Sequence, residues 1–167
     1  MSYVLYLVRH GIAEEPTTAT ADAARALTEE GRKRMKEIAR GLQAIGVSPG
    51  LILTSPLRRA RETAEILQTV SAPDAKLTIY EPLENGHSSE EVVSHLQPGR
   101  ARELALVGHQ PSLGELASYL LTGSAALAPL PFKKGGIAAI SLSSVPPRIP
   151  GTLDWFLTPK QLRALKT

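Results

Sequence analysis

The chain has 167 residues, enough for one domain with a real core but short for two. Hydrophobic residues make up 43% and charged residues 21%, a globular composition, and the absence of cysteine excludes disulfides, thiolate catalysis and cysteine-ligated zinc. A net charge of +3 invites nucleic acid, but the basic residues fall in amphipathic helices and near the tail, interleaved with glutamate, so solvated helix faces are expected and no nucleic-acid partner.

Tyr3 to Val8 is predicted as the first strand, apolar throughout and so buried on both faces. A Thr/Ala-rich loop follows from Ile12 to Leu27. Thr28 to Ile45 reads as a helix, with Thr28 as N-cap, Gly46 as its stop, and Met35, Ile38, Ala39, Leu42 and Ile45 at helical spacing. Leu51 to Thr54 is the second strand. Ser55-Pro56 then opens a helix, with serine as N-cap and proline at the first helical position. Leu77 to Tyr80 reads as a short edge strand, Glu81 to Ser89 as a loop, and Ser89 to Leu96 as a helix. Leu104 to Val107 is a strand ending in Gly108-His109, with a helix from Ser112 to Leu121 behind it. Strands at Ile137 to Leu142 and Thr152 to Leu157, joined by the Pro-rich turn Ser144 to Gly151, precede a terminal helix from Pro159. This alternation predicts an α/β fold: a single-domain three-layer α/β/α sandwich around a mixed, mostly parallel sheet. The start lacks a signal-peptide pattern and no apolar run approaches the roughly 18 residues of a membrane span, so a cytoplasmic protein without a membrane partner is expected.

Three of these strands end in residues that packing does not explain. The first delivers Arg9, His10 and Gly11; the second delivers Thr54 and Ser55, then a helix whose first turn carries Arg58 and Arg59; the Leu104 strand delivers Gly108 and His109. Strand ends of a parallel sheet share one edge, where such sheets bind ligands. Guanidinium forks suit phosphate oxygens, helix N-termini add amide donors, and a neutral imidazole is a competent nucleophile toward phosphorus. The histidines have no acidic or cysteine partners at ligand spacing, so neither a metal nor another cofactor is implied.

Leu7-Val8-Arg9-His10-Gly11, Thr54-Ser55-Pro56-Leu57-Arg58-Arg59-Ala60-Arg61-Glu62-Thr63-Ala64 and Leu106-Val107-Gly108-His109-Gln110-Pro111 closely resemble the histidine phosphatase, or phosphoglycerate mutase-like, superfamily. The resemblance spans essentially the whole chain. Its small size, the Arg25 to Gly31 segment and Gly136 to Ile140 are most similar to the compact SixA-type phosphohistidine phosphatases. The resemblance implies that His10 is the nucleophile and becomes transiently phosphorylated. It implies that Arg9 and Arg59 clamp the phosphoryl oxygens, that His109 donates to the same group, and that Gly11 belongs to the binding loop. Arg58 is then a surface neighbour or a secondary contact. Related enzymes protonate an oxygen leaving group with a carboxylic acid, for which Glu81 and Glu84 are the candidates here; compact members may lack one.

The implied substrate is phosphohistidine on a protein such as a phosphotransfer domain, acted on by a monomer, because no long insertion is available to build a lid. A small phosphate ester is the alternative substrate, and a phosphate-recognising binding module the alternative outside enzymes. More ordinary roles stand beside these: Arg59 paired with Glu62 or Glu65 on its own helix, Arg25 in a loop contact, His87 and His95 exposed, and Lys133-Lys134 in a solvated turn or flanking the site entrance.

Overall fold

The computed structural model describes residues 2–166. In chain order the elements are β1 (Tyr3–Arg9), α1 (Glu29–Ala44), β2 (Leu51–Thr54), α2 (Arg58–Ser71), β3 (Lys76–Ile79), α3 (Ser89–Ser94), β4 (Glu103–Gly108), α4 (Ser112–Thr122), β5 (Ile137–Leu142), β6 (Thr152–Leu157) and α5 (Pro159–Ala164). The strands form one sheet in the order β3-β2-β4-β1-β5-β6. The pairs from β3 through β1 are parallel, and β5 is antiparallel to both of its neighbours. This is the mixed, mostly parallel α/β sandwich expected.

Strand alternation sorts the apolar residues into two layers. Tyr6 and Val8 face Met35, Ile38 and Leu42 of α1, Ala60, Ala64 and Leu67 of α2, and Leu162 of α5. Leu5 and Leu7 face the opposite layer, with Val92 and Val93 of α3 and Leu113, Leu116 and Leu120 of α4. A central strand covered on both sides has no use for polar residues, which explains the unbroken apolar run before Arg9.

Register then sets where the chain leaves the sheet. Arg9 on β1 pairs with Gly108 on β4, and Thr54 on β2 pairs with Val107. The three strand ends therefore lie side by side. The antiparallel β5 begins at the same edge: Arg9 N donates to Gly136 O, and Gly135 N donates to the carbonyls of Arg9 and His10. Gly135 has φ +85°, a left-handed backbone conformation that favours glycine.

The structure corrects several local expectations. Ser55 does not cap α2, which starts at Arg58 behind Leu57 without a side-chain cap. Its hydroxyl accepts from Leu57 N at 3.2 Å and is otherwise turned toward His109. Ile45, placed in the core by its spacing, is instead the C-cap of α1, outside the helix proper, and 44% exposed. The 12–27 loop contains a 3-10 turn at Asp22–Ala24 and an isolated bridge from Ala13 to Leu27. α3 ends at Ser94, two residues short of Leu96, and is opened by a Ser88–Glu91 capping box.

Candidate active site

His10 follows β1 directly, and its N–H continues the ladder to Gly108 O at 3.1 Å. Its Nδ1 lies 2.7 Å from Gly11 O. A carbonyl can only accept, so Nδ1 carries the proton and the lone pair is left on Nε2. The loop that holds this geometry is tied to α2: Gly11 N donates to Thr63 Oγ1 at 3.1 Å, and Thr63 Oγ1 donates to Arg59 O at 2.8 Å. A Cβ on Gly11 would come within 2.7 Å of Met35 Cγ, so the close approach of this loop to α1 excludes a side chain. Gly11 thus lies beneath the site, its two polar groups committed to Thr63 and His10.

Arg9 is anchored by Nη1 to Phe132 O at 2.8 Å, while its buried Nε has no partner. Arg59 reaches from the first turn of α2 to Asp22, with Nη1 on the backbone carbonyl at 3.0 Å and Nη2 on Oδ2 at 3.3 Å. Its Nε is also buried without a partner. Arg59 therefore pairs across the chain with Asp22, whereas Arg58 takes Glu62 on its own helix. Glu62 also accepts from Leu27 N and Arg32, which binds α2 to α1 and to the loop before it.

His109 follows β4, with Nε2 2.7 Å from Ser55 Oγ and a buried Nδ1 that has no partner. The two imidazoles stand 5.2 Å apart between ring centroids. Burial, and then the neighbouring Arg59, push His109 down to about 4. Burial is also the main force on His10. The Gly11 carbonyl opposes it, His109, Arg59 and Arg9 add to it, and the result is about 3. Both rings are consequently neutral at pH 7.

These groups surround a cleft of about 190 Å³. Arg9, Arg25, Arg59 and Lys134 supply four cations, His10 and His109 the imidazoles, and Asn85 and Gln110 an amide wall. Of the lining residues only Arg59 belongs to a helix; the rest come from strand ends and loops. Among the described residues no carboxylate lines it. Asp22 approaches from the rim, holding Arg25 by Nε at 3.0 Å and Nη2 at 2.8 Å, and the two guanidiniums keep its carboxyl below the usual range.

Three buried nitrogens without partners, Arg9 Nε, Arg59 Nε and His109 Nδ1, meet in residues that line this one cleft. Unpaired buried donors are costly, so their concentration here fits an anion with several oxygens. Among the described residues no group of His, Cys, Asp and Glu is arranged to hold a metal ion.

His10, Arg9, Arg59 and His109 are thus brought together. Glu81 and Glu84 are not: Glu81 is exposed in the 3-10 turn Glu81–Leu83, and neither lines the cleft. The residue of that loop that does is Asn85, whose Nδ2 donates to Gln110 O at 3.2 Å and whose Oδ1 accepts from Ser112 Oγ at 2.7 Å. Lys134 reaches the cleft, and among the described residues it makes no ion pair. His87 pairs with Glu91 on the surface, and His95 is exposed. Sequence reasoning missed Asp22, Asn85 and Gln110; only the i,i+3 spacing of Asp22 and Arg25 hinted at one of them.

Residues 5–88 match the histidine phosphatase superfamily (branch 1). The chain belongs to that superfamily, whose members are phosphatases. It is 39% identical over 154 residues to an uncharacterized protein from Picosynechococcus, covering 90% of each chain. Its fold is similar to that of the protein histidine phosphatase SixA complexed with tungstate, with a TM-score of 0.83, 24% identity, and 95% and 99% of the two chains covered. A candidate phosphohistidine phosphatase SixA from Agrobacterium tumefaciens matches with a TM-score of 0.76, 26% identity, and 94% and 98% coverage. A mycobacterial glucosyl-3-phosphoglycerate phosphatase shares the fold at a TM-score of 0.67 and 17% identity, over 95% and 100% of the chains. Among the described residues no helix is long and apolar enough to cross a membrane.

Proposed function

We propose that this chain is a metal-independent phosphatase that works through a phosphohistidine intermediate on His10, and that its substrate is phosphohistidine on a protein such as a phosphotransfer domain. In this reading residues 1–167 make up one histidine phosphatase domain, acting as a monomer in the cytoplasm. The observation that carries the mechanism is the hydrogen bond from His10 Nδ1 to Gly11 O, which leaves the Nε2 lone pair of a neutral imidazole among guanidinium groups.

In the first step His10 Nε2 bonds to phosphorus as the substrate's P–N bond breaks. A proton on the substrate's other ring nitrogen lets it leave as a neutral imidazole. Arg9, Arg59 and His109 Nδ1–H hold the phosphoryl oxygens, where charge accumulates. The Gly11 carbonyl keeps the proton on His10 Nδ1, so the intermediate is a phosphoimidazolium. Water then attacks phosphorus, the P–Nε2 bond breaks, and neutral His10 is restored with inorganic phosphate released.

Two observations support a phosphoramidate on a protein over an alkyl ester. Among the described residues no carboxylic acid lines the cleft to protonate an alkoxide, and no helix lines it apart from the turn bearing Arg59. The likeness to the Agrobacterium protein points the same way. Turnover of a phosphohistidine-bearing phosphotransfer domain, compared with a panel of small phosphate esters in the presence of a chelator, tests the reading. Preference for the protein is expected; preference for an alkyl ester would move the substrate to metabolites, and loss of activity with the chelator would end metal independence.

A further inference from the structure

Ser55 is fully buried at the end of β2, where its hydroxyl makes two contacts: Leu57 N at 3.2 Å and His109 Nε2 at 2.7 Å. A hydroxyl has one proton to give and two lone pairs to receive with. Leu57 N–H can only donate, so it occupies a lone pair of Ser55 Oγ. Among the described residues, no acceptor other than His109 Nε2 lies within reach of the Ser55 proton. Had Nε2 carried a proton toward Ser55, the serine proton would be buried without a partner. One arrangement satisfies all three groups: Leu57 N–H to Oγ, O–H to Nε2, and the ring proton of His109 on Nδ1.

We infer that Ser55 is a positioning residue that fixes His109 in its Nδ1–H tautomer, so that a neutral ring donates to the substrate's phosphoryl oxygen. The inference rests on the proposed phosphoryl site. Nδ1 is the nitrogen of His109 that is buried with no protein partner. The other tautomer would set a lone pair against the phosphoryl oxygens. An imidazolium would donate as well, but burial disfavours it first and the surrounding charges second: Arg59 from α2, Arg9 from β1 and Arg25 from the loop are cationic, His10 is neutral, and Asp22 is the opposing charge. Delivering a donor without a fifth positive charge is therefore the task left to Ser55.

Long-range nitrogen–proton NMR of the wild-type protein between pH 6 and 8, with His109 assigned from its loss in His109→Gln, reads the tautomer directly. Protonated Nδ1 is expected, and protonated Nε2 overturns the inference regardless of how any variant folds. Kinetics on an aryl phosphate supply the functional half. Ser55→Ala frees the ring to protonate at Nε2, and kcat should fall by about 100-fold at pH 7.5. The ratio of wild-type to variant kcat should then shrink as pH falls toward about 4, where His109 takes up its second proton and the Nδ1–H returns. Ser55→Thr, which keeps the hydroxyl, should recover most of the loss. A ratio that stays flat with pH marks a merely structural serine and overturns the inference. If the wild-type protein turns over no phosphorylated donor, the proposed function fails, while the NMR result still decides the tautomer.

Discussion

Arg59 and Asp22 meet across the cleft mouth, the arginine holding the aspartate's own backbone carbonyl at 3.0 Å and its carboxylate at 3.3 Å. The carbonyl contact positions the guanidinium, while the carboxylate lowers the positive charge offered to a ligand. Asp22→Asn should keep the first and lose the second. A solvent-screened unit charge at the rim is worth somewhat under 1 kcal/mol, so inhibition by inorganic phosphate should tighten by about threefold at low salt. Weaker phosphate binding in the variant would mean that the carboxylate chiefly buttresses Arg59.

In the proposed mechanism Arg9 and Arg59 should not be equivalent to Arg58, the neighbour of Arg59 on α2. Arg59→Ala and Arg9→Ala each remove a fixed donor from the phosphoryl oxygens and should lower kcat/KM by roughly 100-fold or more. Arg59→Lys should restore little, because an ammonium cannot reproduce the fork. Arg58, half exposed and paired with Glu62, should tolerate alanine with near wild-type turnover. Steady-state kinetics on one aryl phosphate separate the three.

Glu81→Gln and Glu84→Gln should each leave turnover within about twofold, instead of the 100- to 10,000-fold loss that removal of a general acid brings. Their side chains stand outside the cleft, and Asn85 occupies the loop's place in its wall. A large loss in either variant on alkyl esters, with phosphohistidine spared, would show that the loop rearranges to deliver an acid.

The depressed histidines also set the pH dependence of stability. His10 lies at about 3 and His109 at about 4 in the folded protein, against about 6.5 when unfolded. Between those limits the unfolded chain binds more protons than the folded one, so stability rises with pH. Thermal unfolding should shift to lower temperature as pH falls below about 6.5 and change little from these rings above it. His109→Gln should flatten that acid limb. An unchanged limb in the variant would contradict the neutral buried ring.

Much of this was legible because the decisive signals are local. The apolar run of β1 between Tyr3 and Val8, the Leu104 to Val107 run of β4, and the polar residues just beyond each strand together give the sheet and the edge where His10 and His109 meet. Ser55 was misread because Ser-Pro before a helical pattern carries the same local signature whether the hydroxyl caps the helix or turns inward. Its partner His109 is 54 residues away. Asn85 displaced Glu84 for a similar reason: the anchor that turns its amide to the cleft is Ser112 at the start of α4, and no neighbour in sequence announces it. Ile45 keeps helical spacing, but periodicity does not say that the helix ends at Ala44, one residue before it.

The central claim is that His10 carries the phosphoryl group. Mass spectrometry of acid-labile phosphate after brief mixing with a phosphohistidine-bearing phosphotransfer domain tests it most directly. A transient phosphoryl group on His10, absent in His10→Ala, is the predicted result. Turnover of the donor with no phosphate ever trapped on His10, or with His10→Ala still active, would contradict it.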